Sequence, residues 1–294
     1  MKHKKRKEAL AGYLFILPLF AGLGVFFFFS FFQNVYYSFT DKTTFGETAF
    51  IGLDNYTRLF ADPNFPGAVI QTLQYVFFSV PLIIILALLL ANWLNMKIKF
   101  KGIYRTLIFL PAVTMPAAIG LVWRGLLNYQ FGIINAALGF FGIPAVAWLS
   151  DPRFVIPAIS FVLIWSNVGY QMVLFLAGMQ GIGKSYYEAA EIDGASRRQQ
   201  FFNITLPLLS PVIFFVMITT IINVIQVFDF IILMIRYPSA VWGASRSLVS
   251  WFFDESFRFF NQGYGAAISM VLFVIIMIFT AAQMILQKKW VHYD

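Results

Sequence analysis

Residues 184–207 read Lys184-Ser-Tyr-Tyr-Glu-Ala-Ala-Glu-Ile-Asp-Gly-Ala-Ser-Arg-Arg-Gln-Gln-Phe-Phe-Asn-Ile-Thr-Leu-Pro207, a polar segment set between two long apolar runs, 154–179 and 208–234. Ser185 and Glu188 have the spacing of a capping box, which predicts a helix starting at Tyr186. Glu188 and Glu191 near that start suit the positive end of the helix dipole. Ala189 and Ala190 favour the helix and carry almost no side chain, so another surface can approach the backbone closely. Gly194 can take the left-handed conformation that ends the helix. A second short helix over about 195–202 then returns the chain, and Pro207 marks the start of the next apolar run. A plain connection needs only a few polar residues. This segment is predicted to be a rigid helix-turn-helix suited to a groove on another protein. The competing reading, an amphipathic helix resting on lipid, is disfavoured by Glu188, Glu191 and Asp193.

Outward from this segment the apolar runs recur. Six of them, at about 10–32, 69–94, 104–126, 154–179, 208–234 and 264–286, reach the roughly 20 helical residues that cross a hydrocarbon core. Of 294 residues, 60% are hydrophobic and 12% charged, against roughly 25% charged in a soluble domain, which excludes a soluble enzyme. With no Cys and only His3 and His292, no disulfide, thiol chemistry or Cys- or His-based metal centre is expected, and no metal ligand is assigned. The first run follows a basic MKHKKRK stretch but is longer than a signal-peptide core and lacks an A-x-A site, so it is read as a retained span. The expected fold is an all-α integral membrane protein of six transmembrane helices. It comprises a basic N-terminus (1–9), a membrane domain (10–286) and a tail (287–294).

Lys and Arg set the expected orientation. They gather at Lys2–Lys7, at Lys97, Lys99 and Lys101, at Lys184, Arg197 and Arg198, and at Lys288 and Lys289. The alternate segments carry Asp41, Glu47, Asp54 and Asp62, then Asp254 and Glu255. The positive-inside rule therefore places both termini and the 184–207 segment in the cytoplasm. Among the outer segments, 131–143 is expected to hold a short interfacial helix. Trp242 and Trp251 read as an interfacial aromatic belt or a docking surface. Pro111 and Pro116 lie close enough to bend the third span around something.

Glu188-Ala189-Ala190, Gly194 four positions later, and Ile204-x-Leu206-Pro207 after nine further residues match the EAA signature at each position. The chain thus resembles the permease subunits of binding-protein-dependent ABC importers. Asp193-Gly194-Ala195 and the run 204–211 resemble the carbohydrate branch, typified by maltose and glycerol-phosphate permeases. The resemblance implies that Tyr187, Glu188, Ala189, Ala190, Asp193 and Gly194 form a coupling helix seated in a cytoplasmic ATPase. It also implies four kinds of partner: a second homologous permease subunit, two ATPase copies, an extracytoplasmic solute-binding protein and membrane lipid. No nucleic acid is expected. No cofactor is expected on this chain, which lacks a Walker A pattern; ATP and Mg belong to the ATPase.

Polar side chains within spans should face the bundle interior or a water-filled path. Residues 219, 223 and 226 share one helical face of the fifth span, with Asp229 next along it. The family's sugar contacts fall in the third, fourth and fifth spans, which points to Thr114, Ser166, Asn167, Tyr170, Thr220, Asn223 and Gln226 as cavity residues. Interhelical hydrogen bonding, at about 0.6 kcal/mol each, is the alternative role of any one of them. Asp229, expected near the outer interface, is assigned no catalytic or proton-relay role. A secondary transporter or channel is the alternative function. Ion coupling normally leaves ionisable groups at mid-membrane, whereas Arg105, Arg124 and Asp229 lie near span ends.

Overall fold

A computed structural model describes residues 2–96 and 98–291; expectations resting on the side chains of residues 1–11, on Lys97 and on His292 lie outside the described residues. Among the described residues the regular structure is helical, with one isolated antiparallel bridge between Thr40 and Phe50. The chain divides into two compact units, one of residues 1–62 and 252–271, the other of residues 63–251 and 272–294.

In the first unit, α1 (Lys2–Leu23) passes through a wider π-type stretch at Gly24–Phe29 into α2 (Ser30–Tyr37). The apolar helix over Gly12–Tyr37 has 26 residues, or about 39 Å at 1.5 Å per residue, and so continues past the expected end at 32. After it, α3 (Asp54–Ala61) buries Asn55, whose amide donates to the carbonyls of Ser38 (3.0 Å) and Thr40 (2.7 Å) and fixes the chain's return. Tyr264 donates its hydroxyl to Asp62 Oδ2 at 3.1 Å, under the Arg58 guanidinium.

The core of the second unit is a pair of long helices, α4 (Asn64–Asn95) and α8 (Pro152–Gly181), packed along each other. Ala68, Thr72, Ser79, Ala87 and Ala91 put small residues on the buried stripe of α4, at the three- and four-residue steps that bring helices close without a hydrophobic drive. Between them in sequence come α5 (Lys101–Val113), α6 (Pro116–Leu126) and α7 (Ile133–Phe140). A Cβ on Gly169 of α8 would overlap the Ile108 carbonyl oxygen of α5, so glycine is what permits that crossing.

The third apolar run is broken: α5 and α6 meet at 96°. Met115, ahead of Pro116, is extended (φ −56°, ψ 125°), as the proline ring demands of its predecessor. Pro111 stays inside α5, so one proline rather than two makes the break. Past α8 come α9 (Lys184–Ile192), α10 (Arg197–Gln200) and α11 (Leu206–Leu208), the last two joined by a π-type turn at Phe201–Thr205 into one rod, Arg197–Leu208. That rod meets α12 (Ser210–Ile225) at 67°.

The fifth run was expected to stay helical from 208 to 234. Instead α12 stops at Ile225, Phe228 adopts φ −141° and ψ −59°, and α13 (Asp229–Met234) starts afresh. No Pro or Gly stands at 226–228 to announce this break. The chain finishes through α14 (Trp242–Ser245), α15 (Leu248–Phe253) and α16 (Gln262–Leu286). Among the described residues, four helices are long and apolar enough to cross a membrane, and up to six spans result if each bent pair counts as one.

Candidate functional site

The 184–207 segment is a prong made of two short helices joined by a tight turn. Its first helix starts at Lys184, not Tyr186, because Gly183 is the residue with extended ψ (135°) and the chain is already helical at Ser185. Ser185 therefore makes no side-chain cap, and Glu188 falls in the second turn, beyond the reach of the dipole's positive end. The capping box forms eleven residues later. Ser196 Oγ accepts from the Gln199 amide N–H (3.4 Å) while Gln199 Oε1 accepts from the Ser196 N–H (2.7 Å). Between the helices Gly194 sits at φ +77°. Ala195 N–H reaches back to the Ala190 carbonyl (2.8 Å) and Gly194 N–H to the Glu191 carbonyl (3.1 Å), the paired bonds of a Schellman ending.

No residue of α9 is fully buried. Glu188, Ala189, Asp193 and Gly194 are exposed, and Ile192 leaves 87% of its surface open, an apolar side chain at the tip of a charged prong. Tyr187 turns inward, and its hydroxyl lies 2.9 Å from Thr205 Oγ1 at the root of the returning rod. Thr205 is buried.

Within the membrane helices, the two broken spans face one cavity of about 200 Å3. Thr114 reaches it from the α5–α6 break, Ser166 and Asn167 from α8, and Asn223, Gln226 and Asp229 from the broken end of α12. The hydroxyls of Thr114 and Ser166 donate to Leu110 O (2.8 Å) and Leu163 O (3.0 Å), leaving their lone pairs as acceptors. Asn167 donates to Leu163 O (2.8 Å) and Ser166 Oγ (3.2 Å).

Two expected members lie elsewhere. Tyr170 is half exposed and does not line the cavity. Thr220 is buried in the packing between helices. Asp229, assigned no role from the sequence, lines it too, beside the break that redirects the chain after Gln226. A larger cavity, about 930 Å3, opens between the end of α6 and residues 234–241, with Arg124 and Arg236 in its lining.

Broken helices around a polar cavity, joined to a polar prong, define the chain as a membrane transport component. Residues 60–292 match the family described as "Binding-protein-dependent transport system inner membrane component", and the chain belongs to that family. It is a multi-pass membrane protein. The probable ABC transporter permease protein YesP of Bacillus subtilis is 34% identical over 98% of this chain and 94% of its own. The trehalose/maltose transport system permease protein MalF of Thermococcus litoralis is 34% identical over 94% and 93%. The lactose transport system permease protein LacF of Rhizobium radiobacter is 32% identical over 95% and 94%. The fold matches a chain of a bacterial alginate ABC transporter solved with an alginate pentasaccharide-bound periplasmic protein. The TM-score is 0.88 at 20% identity, over 97% of this chain and 96% of that one.

Proposed function

We propose that this chain is the permease subunit of an ATP-binding-cassette importer that carries a sugar or sugar-like solute across the cytoplasmic membrane. The observation that carries this reading is one chain holding both parts such a device needs: a capped, exposed prong and a cavity of hydroxyls and amides at two helix breaks. Hydroxyl and amide groups recognise polyols by paired donor and acceptor contacts. The sugar transport systems of the 32–34% identical relatives favour the same solute class. In this reading each bent pair is one span, both termini are cytoplasmic, and the prong seats in a separate ATPase that holds ATP and Mg. A second permease subunit completes the path, and an extracytoplasmic binding protein delivers the solute.

The geometry supplies a lever. Motion of α9 reaches the rod Arg197–Leu208 through the Gly194 turn and the Tyr187–Thr205 bond. The rod bends at Leu209 into α12, whose far end carries Asn223 and Gln226. ATP-driven movement at the prong thereby changes the cavity without any catalytic group on this chain. The test is uptake of labelled sugars into proteoliposomes holding the assembled transporter, with and without ATP and binding protein. Uptake that needs both supports the assignment; uptake by this chain alone, driven by an ion gradient, overturns it.

A further inference from the structure

One group in the cavity exceeds what recognition of a neutral sugar requires. Asp229 brings a carboxylate to a wall otherwise made of hydroxyls, amides and apolar side chains, and among the described residues no Lys, Arg or His lines that cavity. No hydrogen bond or ion pair from the described residues engages it, nor the side chains of Asn223 and Gln226 on the same wall. An ionised carboxylate only accepts, and its two oxygens match two neighbouring hydroxyls, in bonds about twice as strong as neutral ones. A second negative charge about 6 Å away would be disfavoured on the order of a hundredfold at an effective dielectric near 20. The volume, about 200 Å3, lies below the roughly 300–1,000 Å3 of pockets for drug-sized ligands and suits one sugar ring at a time.

We propose that Asp229 sets the charge class of the solute: it binds vicinal hydroxyls of a neutral sugar or polyol and rejects rings bearing a carboxylate, sulfonate or phosphate. This inference rests on the reading of the cavity as the solute site. The larger cavity offers the opposite bias, since Arg124 and Arg236 line it, and a test must separate the two.

The transporter complex containing the full chain, embedded in lipid nanodiscs without binding protein, is titrated by saturation-transfer NMR. The probes are three matched pairs: the methyl glycosides of glucose, galactose and mannose against the corresponding methyl uronides. Wild type is expected to prefer the neutral member of a pair by about tenfold or more, within the electrostatic limit above. Asp229→Asn should narrow that preference to about twofold, whereas Asp229→Glu, which keeps the charge, should retain it. An unchanged ratio in Asp229→Asn, with binding of both members weakened by Asn223→Ala, leaves the cavity as the solute site and overturns the role of Asp229. A preference for the uronide that disappears in Arg124→Gln assigns charge selection to the larger cavity and also overturns it. Binding of neither member, or binding indifferent to Asn223→Ala, removes the cavity reading itself and this inference with it.

Discussion

The prong and the cavity are held together by different physics. The prong is local: its turn, its caps and its exposed face are all made within residues 183–205, and each bond closes over a few residues except the one between Tyr187 and Thr205. The cavity is assembled from three stretches of chain more than forty residues apart, each presenting one to three polar side chains at a break or on a helix face. A local device can move as a body without losing its shape, whereas an assembled one changes whenever one of its helices shifts. On the proposed reading that contrast suits a coupled transporter, with the prong as handle and the cavity as container.

The sharpest way to break the contrast is Gly194→Asp. A non-glycine residue at φ +77° costs about 1–2 kcal/mol, and the substitution adds a charge on an exposed turn where no neighbour lies within 4 Å. ATP-dependent uptake should fall to background while the amount of inserted protein stays near wild type by immunoblot of membranes. Normal uptake would show that the turn plays no part in coupling. Next comes Asn223→Ala, which should raise the sugar concentration for half-maximal uptake by about tenfold, the cost of one polar contact. ATPase activity without sugar should be unaffected, and an unchanged uptake curve would take Asn223 out of the solute site.

The two regions also differ in how far they could be read from the chain. The prong's alanines and glycine fall within six residues, 189–194, and the demand for a left-handed residue at 194 is a property of the backbone there, so its turn was legible. Its cap was not, because two Ser-x-x-Glu/Gln patterns exist, at 185/188 and 196/199. Which one closes depends on whether the serine itself is the extended residue ahead of its helix: Ser196 is, whereas at the first helix Gly183 takes that place and Ser185 is already helical. Of the cavity, Pro116 announced one break and helical periodicity found the polar face of α12. Periodicity does not report how a helix is rotated within its bundle, hence the misplacement of Tyr170 and Thr220. Asp229 fell in line with that face by periodicity but was given no place in the cavity, and nothing at 226–228 announced that the helix breaks there.

A smaller effect tests whether the lever passes through a single bond. Tyr187→Phe and Thr205→Val each remove the 2.9 Å contact between hydroxyls, worth about 1 kcal/mol. Each should reduce uptake by about three- to fivefold at normal ATPase rates, and the double substitution should cost no more than either alone. Additive losses in that cycle would mean that the two residues act separately, and that the prong drives α12 through the Gly194 turn alone.

The smallest effect distinguishes the two candidate caps. Ser196→Ala deletes an N-cap whose loss typically costs about 1 kcal/mol, so amide exchange at residues 197–201 should quicken by about fivefold. Ser185→Ala replaces a residue already inside a helix with a better helix former, so exchange across 185–192 should stay the same or slow slightly. The reverse pattern would place the start of the prong at Tyr186 and restore Glu188 to the first turn, where its charge would meet the helix dipole. Because Ser196 lies on the returning arm, its loss loosens the arm joined to α12 while leaving the exposed face of α9 intact. Coupling should therefore weaken with the docking surface unaltered, a separation that no substitution on the exposed face of α9 could produce.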